Sequence, residues 1–452
     1  MHEFIRRVSL PASAAEAFAW HECPGAFDRL NAPWEPVRVL AASGGIRDGG
    51  RVAIEIPGPP PIRWTLRHEG YVAGERFRDV QESGPFAAWT HEHRFLPEGA
   101  GCVLEDAIRY ALPMGPLGDV AAPWVEARLR RLFAWRHRVT AAELGFGREL
   151  ALPRRRILLS GASGLIGRAL ASFLATQGHE VVRLVRRPPR DAGEQTWDPA
   201  RGTLDPAAFE GVHAVIHLGG EGIADRRWSA ARKRVLIESR VASTSLLART
   251  IASLADRPGV FVSASATGIH GDRGELMLDE RSAPGSGFLA DLAREWEAAA
   301  RPAAEAGVRV AHPRLGLVLT PLGGALAPLL RATRWGAGGP LGSGKQWWSW
   351  VTLDDVTRVM LFAVAREAIV GPFEVVTAAV RQRELASTLG RVLGRPSLTA
   401  APAFALRLLL GEMAGEMLLA SQRVRPAALE RAGYRPLDPE LEPALRAMLG
   451  RA

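Results

Sequence analysis

The sequence predicts an α/β protein: a doubly wound parallel sheet over residues 154–396, preceded by an α+β domain over 1–150 and followed by a helical segment over 397–452. Three observations predict it. From Arg156 to about Leu319, apolar strand patterns (RILLS, EVVRLV, VHAVIHL, GVFVSAS, VRVAHPRLGLVL) alternate with helical ones, the order of βαβ units. The run ILLSGASGLIGRAL sets Gly161, Gly164 and Gly167 between the first of those strands and a helix. Ahead of them, from Phe4 to about Ala111, short strands punctuated by Gly and Pro end in one long amphipathic helix, an α+β order.

Composition bounds the reading. A chain of 452 residues suffices for two or three domains, and 47% hydrophobic with 23% charged residues is ordinary for a soluble globular protein. The longest apolar run, FALRLLLGEMAGEMLLA from Phe404, is broken by Arg407, Glu412 and Glu416 before reaching the ~18 to 20 residues of a membrane span. The start, MHEFIRRVSLPAS, alternates like a strand and lacks the apolar core of a secretory leader, so a cytoplasmic location is expected. Cys23 and Cys102 make neither a disulfide framework nor a zinc spacing and read as small buried apolar residues. The net charge of +9 arises after residue 150 and is almost all arginine, Lys233 and Lys345 being the only lysines. These arginines are scattered rather than striped, which speaks against nucleic acid and for a small phosphorylated ligand or a solvated surface.

In the first segment the strands read as RVAIEI from 51, IRWTLRHEGYV from 62, RFRDVQES from 76, AAWTHEHRFL from 87 and CVLEDAIRYAL from 102, with an early helical piece, PASAAEAFAWH. A helix from about Asp119 to Leu144 sets Trp124, Val125, Leu129, Leu132, Phe133 and Val139 on one face. This order resembles the START-like, polyketide-cyclase-like helix-grip fold, which implies a curved sheet wrapped around the last helix and an apolar cavity. Trp20, Trp34, Trp64, Trp89, Trp124 and Trp135 are available to line such a cavity or to fill a closed core, and Arg63, His91 or Tyr110 to orient an apolar ligand. His91 and His93 share one face of a strand; with no third ligand in view they read as structural histidines, and no metal is expected.

The linker GFGRELALPRRR leads into the glycine loop, Gly161 to Gly167 with Ser163, Leu165 and Ile166 between. The first glycine allows a tight turn, the second lets backbone approach a pyrophosphate, and the third lets helix pack on sheet, while the helix N-terminus supplies N–H groups. This is the dinucleotide-binding (Rossmann) arrangement. At the end of the second strand, where an acidic residue would hold a ribose 2′-hydroxyl, stand Arg186 and Arg187, which suit a 2′-phosphate; the expected cofactor is NADP(H).

HLGGEGIADRRW (217–228), SRVAST (239–244), VSASATGIHGD (262–272), PRLGLVLTPLGGAL (313–326), GGPLGSGKQWWSWVTLDD (338–355) and GPFEVVTAA (371–379) together resemble the atypical extended short-chain dehydrogenase/reductases, in their nucleotide-sugar-epimerase-like "epimerase family" branch. The third segment resembles that branch's helical C-terminal extension. The resemblance implies that Leu218, Gly219 and Gly220 lie under the adenine side of the dinucleotide, that Ser263 and Ala264 end a strand beside the nicotinamide ribose, and that Pro313, Arg314 and Leu315 flank the nicotinamide. It also implies that Ser265 or Thr267 polarises a substrate carbonyl. The chain departs from the family's Tyr-x-x-x-Lys pair, with Phe288 and Leu292 at those places. Replacement acids or bases are Glu221, His270 and Asp272, while Arg240, Arg314 and Lys345 are candidate anion-binding groups. Three readings stay open: an NADP(H)-dependent oxidoreductase or epimerase on an unidentified small molecule, a nucleotide-sensing or scaffold protein without turnover, and a carrier whose N-terminal domain presents an apolar ligand.

Overall fold

Along the first third of the chain apolar and polar residues alternate as in strands with one buried face. His2–Leu10 (β1), Arg38–Ser43 (β2), Arg51–Ile56 (β3), Ile62–Val72 (β4), Arg76–Ser83 (β5), Ala88–Glu98 (β6) and Gly101–Ala111 (β7) form one antiparallel sheet, ordered β1-β7-β6-β5-β4-β3-β2. Ala14–Glu22 (α1) and Ala26–Leu30 (α2) follow β1, and Pro116–Asp119 (α3) leads into Ala122–Leu150 (α4). α1 opens on a capping box: Ser13 accepts from the Glu16 N–H while the Glu16 carboxylate accepts from the Ser13 N–H. The computed structural model describes residues 1–451, in two compact units: residues 1–153 with 172–178 and the last residues from Ala447, and residues 154–171 with 179–446.

In the first unit Phe4, Ile108 and Tyr110 pack with Val125, Leu129 and Phe133 of α4, while Leu10, Phe18, Phe77, Phe95 and Leu104 form a second cluster. A cavity of about 500 Å³ remains between sheet and helix. Trp64, Trp89 and Trp124 line it; Trp20 and Trp135 fill a closed core instead, with Trp34 edge-on to Trp135 at 5.4 Å. His91 lines the cavity, whereas Tyr110 is core and Arg63 is on the surface. Cys102 is buried but Cys23 only half so. The expected helix end at Leu144 is corrected, since α4 runs on through Gly145 and Gly147. Phe146 and Leu150 are buried one turn apart, and burial of each, at ~1.5 to 3 kcal/mol, outweighs the ~1 kcal/mol that each glycine costs a helix.

The second unit builds Arg156–Ser160 (β8), Leu165–Thr176 (α5), Glu180–Val185 (β9), Glu194–Asp198 (β10), Thr203–Leu204 (β11), Val212–His217 (β12), Ala230–Ser253 (α6), Val260–Ser263 (β13), Ser265–Ala266 (β14), Met277–Leu278 (β15), Phe288–Ala298 (α7), Arg301–Glu305 (α8) and Arg309–Leu315 (β16). Leu317–Leu319 (β17), Leu326–Arg334 (α9), Trp347–Thr352 (β18), Leu353–Ala365 (α10), Gly371–Val375 (β19), Ala378–Arg381 (β20) and Gln382–Leu393 (α11) follow. The main sheet is parallel and ordered β10-β9-β8-β12-β13-β16, with β11 antiparallel on one edge, β14 continuing β13 beside β16, and β19 on the far edge. Its order reverses between β8 and β12, the switch point at which open α/β sheets bind ligands.

The segment after Ser397 is helical at Ala403–Leu410 (α12), Ala427–Arg431 (α13) and Leu441–Met448 (α14), but it also contributes Arg423–Val424 (β21), parallel to β15. Through Arg446 it is counted within the second unit rather than standing alone. Among the described residues no helix is long and apolar enough to cross a membrane.

Ile108, fully buried on β7 between β1 and β6, tests the first unit's core. Ile108→Ala is expected to destabilise that unit by about 2 to 5 kcal/mol, read as an earlier urea transition in tryptophan fluorescence.

Candidate functional site

The loop between β8 and α5 is a cradle that admits only glycine at two points. Gly161 has φ +76°, and a Cβ there would lie 2.8 Å from the Leu218 carbonyl carbon and 2.9 Å from the Gly219 nitrogen. At Gly167 a Cβ would meet the Gly161 oxygen at 2.1 Å, so the start of α5 rests directly on the loop. Gly164 turns the chain, its N–H donating to the Gly161 carbonyl at 3.0 Å, and Ser163 and Gly164 are exposed at the tip ahead of half-buried Leu165 and Ile166.

Across the switch point, the end of β12 is organised by a residue that sequence reasoning missed. His217 is fully buried, with Ser160 Oγ 2.5 Å from Nδ1 and Ser243 Oγ 3.1 Å from Nε2. Burial, with Arg240 nearby, pushes its pKa down to about 3, so it is neutral near pH 7. A Cβ at Gly219 would fall 2.7 Å from the His217 ring and one at Gly220 3.0 Å from the Arg240 guanidinium carbon, which threads Leu218, Gly219 and Gly220 between those two side chains. A histidine at the last position of β12 was the available signal.

The two arginines after β9 differ. Arg187 makes a two-pronged ion pair with the buried Glu194 on β10, both contacts 2.7 Å. Arg186 is exposed and pairs with no described residue.

On the other side of the sheet the structure gathers five polar residues from separate elements. Ser265 Oγ donates to Glu297 on α7 at 2.6 Å, and Arg314 on β16 grips both oxygens of Glu297 at 2.8 and 2.9 Å. Arg314 also reaches Glu374 on β19 at 3.3 Å, and His270 Nε2 lies 2.9 Å from the same Glu374 oxygen. Burial alone would raise the Glu297 carboxyl, but the Arg314 guanidinium and the Ser265 hydroxyl hold it below the usual range. Ser265, His270 and Arg314 therefore meet in one buried network. His270, a candidate acid or base from the sequence, is fully buried, and Arg314 is spent on two carboxylates. Ser263 ends β13 and Ala264 links it to β14, with the Ser263 carbonyl 3.3 Å from His312 Nδ1, and Pro313 is buried on β16.

Next to the network lies a cavity of about 250 Å³, lined among others by Ile223, Arg240, Thr267, Leu292, Trp296, Leu315, Trp348, Glu416 and Gln422. Ser265 does not line it; Thr267 does, its hydroxyl donating to Gln422 Oε1 at 3.2 Å. Arg240 is the one basic side chain in the lining, held over the Trp296 ring at 5.1 Å, and burial together with Arg232 brings its pKa down to about 10. Glu221 lies apart in the loop after β12, half-exposed and 3.5 Å from Arg232, while Lys345 is exposed away from the lining. Asp272 is taken up by the Ser421 N–H at 3.1 Å and the Gly274 N–H at 3.2 Å.

The start of α7 carries no proton-transfer pair. Phe288 packs edge-on to Trp228, ring centroids 4.9 Å apart, with Lys233 Nζ 4.9 Å from its ring centre, and Leu292 is buried. The Phe288 and Leu289 N–H groups donate to the two Glu416 oxygens at 2.9 and 2.8 Å, so a carboxylate from the C-terminal segment caps this helix.

Residues 157–377 match the NAD dependent epimerase/dehydratase family, and residues 401–448 match a domain of unknown function, DUF1731. Epimerase family protein Mb2239 of Mycobacterium bovis is 41% identical over 279 residues, 62% of this chain and 92% of that protein. A nucleoside-diphosphate sugar epimerase structure from Corynebacterium glutamicum superposes with a TM-score of 0.82 at 30% identity, covering 99% of this chain and 90% of that one. A crystal structure of human epimerase family protein SDR39U1 with NADPH matches at TM-score 0.60 and 32% identity, over 65% of this chain and 99% of that one. With a glycine cradle at the switch point of a doubly wound sheet and relatives at this identity along nearly their whole length, the chain belongs to the NAD-dependent epimerase/dehydratase family, among its epimerase family proteins.

Proposed function

We propose that the second unit binds NADP(H) and acts, without a Tyr/Lys pair, on a small molecule held in the 250 Å³ cavity. The observation that carries the nucleotide assignment is the unpaired, exposed Arg186 beside a loop that only glycine can form. The human SDR39U1 structure with NADPH supports the same cofactor. Gly161, Ser163, Gly164, Leu165, Ile166 and Gly167 would cradle the pyrophosphate at the start of α5, Arg186 would hold the 2′-phosphate, and Leu218 to Gly220 would lie against the adenosine. Ser263, Ala264, Pro313 and Leu315 would border the nicotinamide. Bound NADP(H) supplies or accepts a hydride.

What this chain's residues add is positioning. Ser265 is turned toward Glu297, so the hydroxyl available to a carbonyl in the cavity is that of Thr267, with Arg240 as the cation for an anionic substituent. Ser265 and His270, with Arg314, then serve to fix the strand ends that shape the cavity, and Glu221 orders the loop after β12. A second reading, an NADP(H) sensor or scaffold without turnover, is favoured by one observation: the ionisable groups lining the cavity are Arg240 and Glu416, and Glu416 is held by two backbone N–H groups. The first unit we read as a START-like domain, supported by its strand, helix, six-strand, long-helix order and by its 500 Å³ cavity, whose walls include Ile54, Leu66, Trp64 and Phe133 and suit an apolar ligand.

Three outcomes test these assignments. In nucleotide fluorescence titrations NADPH binds more tightly than NADH, and Arg186→Asp lowers NADPH affinity roughly tenfold to hundredfold with little effect on NADH; equal affinities for the two nucleotides in the unmodified protein would remove the NADP(H) assignment. If a screen of carbonyl compounds finds NADPH consumption, Thr267→Val reduces kcat/KM at least tenfold whereas Ser265→Ala mainly lowers thermal stability; the reverse pattern returns the polarising role to Ser265, and an empty screen combined with nucleotide-dependent stabilisation supports the sensor. Finally, fatty and aromatic acids titrated into the full chain give a saturable change in tryptophan fluorescence that shrinks in Trp64→Phe and Trp89→Phe. A flat response across that panel identifies the first unit as an interaction module.

A further inference from the structure

The cavity of the first unit ends on a cluster of titratable side chains that an apolar pocket does not need. The pleat puts His91 and His93 of β6 on one face, and the antiparallel registers bring Asp79 of β5 opposite His91 and Asp106 of β7 opposite His93. Asp79, His91 and His93 all line the cavity. One donor atom from each lies within 4.8 Å of the other two, the one such grouping among the described residues.

We propose that Asp79, His91 and His93 bind a first-row divalent cation of the zinc and iron class, with its open coordination positions facing the apolar cavity.

Three features carry it. His91 Nδ1 and His93 Nε2 stand 3.5 and 3.9 Å from Asp79 Oδ2, too far for good hydrogen bonds. They are close to the roughly 3.4 Å that separates two ligands of one tetrahedral cation with bonds of about 2.1 Å. The opposite ring nitrogens both face a single carboxylate, His91 Nε2 hydrogen-bonded to Asp106 Oδ1 at 2.9 Å and His93 Nδ1 2.8 Å from the same oxygen but out of line for a hydrogen bond. His91 is oriented as imidazole ligands are in metal sites, one nitrogen toward the ion and the other on an outer carboxylate. Asp106 is itself held on its second oxygen by His137 of α4 at 2.5 Å. Third, Asp79 Oδ1 is buried and finds no partner at hydrogen-bond angles, although His68 Nε2 is 2.9 Å away. A buried carboxylate oxygen without an aligned donor is costly, and a cation bound through both Asp79 oxygens would relieve it. Two imidazoles and one carboxylate, with neither thiolate nor a full oxygen shell, select against Ca²⁺ and Mg²⁺ and for zinc-like or iron-like ions. Arg136 lines the same cavity and would meet an anionic group on a ligand that also reaches the cation.

The test uses the full chain, stripped with chelator and titrated with Co²⁺ and then Zn²⁺. The expected result is one equivalent of Co²⁺ with the intense visible bands of a four- or five-coordinate site, displaced by Zn²⁺. In His91→Gln/His93→Gln, checked for folding by circular dichroism, that equivalent should be lost, and Asp106→Asn should weaken it about 10- to 100-fold. Zinc-edge X-ray absorption on the unmodified protein needs no variant and should count two imidazole shells. No stoichiometric binding, the weak spectrum of hydrated Co²⁺, or undiminished binding in the folded double variant would each overturn the proposal.

Discussion

At the switch point of the main sheet two loops come so close that side chains are excluded, and most of the second unit follows from that approach. Gly161, Gly167 and Gly219 each lie where a Cβ would fall under 3 Å from a backbone atom or from the His217 ring. Because the loop after β8 touches the loop after β12, the first turn of α5 must start at the C-terminal edge of both strands. Its N–H groups then point into the crevice between them. His217, neutral and pinned by Ser160 and Ser243, sets the height of that crevice from below.

A second constraint is electrostatic. Glu374 and Glu297 are carboxylates removed wholly or mostly from water, and a buried charge persists only when paired and hydrogen-bonded. One guanidinium, Arg314, serves both, with Ser265 adding a donor to Glu297 and His270 sharing one Glu374 oxygen with Arg314. The network ties β14, β16, β19 and α7 together beside the place where the family resemblance sets the nicotinamide. It also engages the Ser265 hydroxyl and one nitrogen of His270, the groups that carried the chemistry in a reading from spacing alone.

Local patterns were legible in the sequence and register was not. Alternation located β3 and β5 to the residue, and the strand–turn–helix glycine spacing located the cradle, because each depends on neighbours in the chain. The run of α4 past Gly145 was hidden: two glycines outweigh Phe146 and Leu150 on propensity but not on burial. β2 was missed because its residues are exposed throughout. Ser265 and Thr267 are two residues apart and look interchangeable in VSASATG, yet one meets Glu297 and the other the cavity, a difference set by Arg314 and Gln422 far along the chain. Asp79 was invisible as a companion of His91 for the same reason: only the pairing of β5 with β6 puts them opposite.

The missing Tyr/Lys pair has a physical counterpart in the C-terminal segment. In α7 the N-terminal dipole faces Glu416, whose two oxygens take the Phe288 and Leu289 N–H groups. Only the backbone of position 288 meets that carboxylate; the ring lies against Trp228 and the Lys233 ammonium. Phe288 has no proton to transfer and offers its ring to Lys233. Leu292, one turn on, keeps the cavity wall apolar. The C-terminal segment thus caps the helix that carries Phe288 and Leu292 in place of an ionisable pair. Among the described residues the cavity is left with Arg240, Thr267, Ser349 and Gln422 as polar, non-aromatic side chains not committed to the helix end.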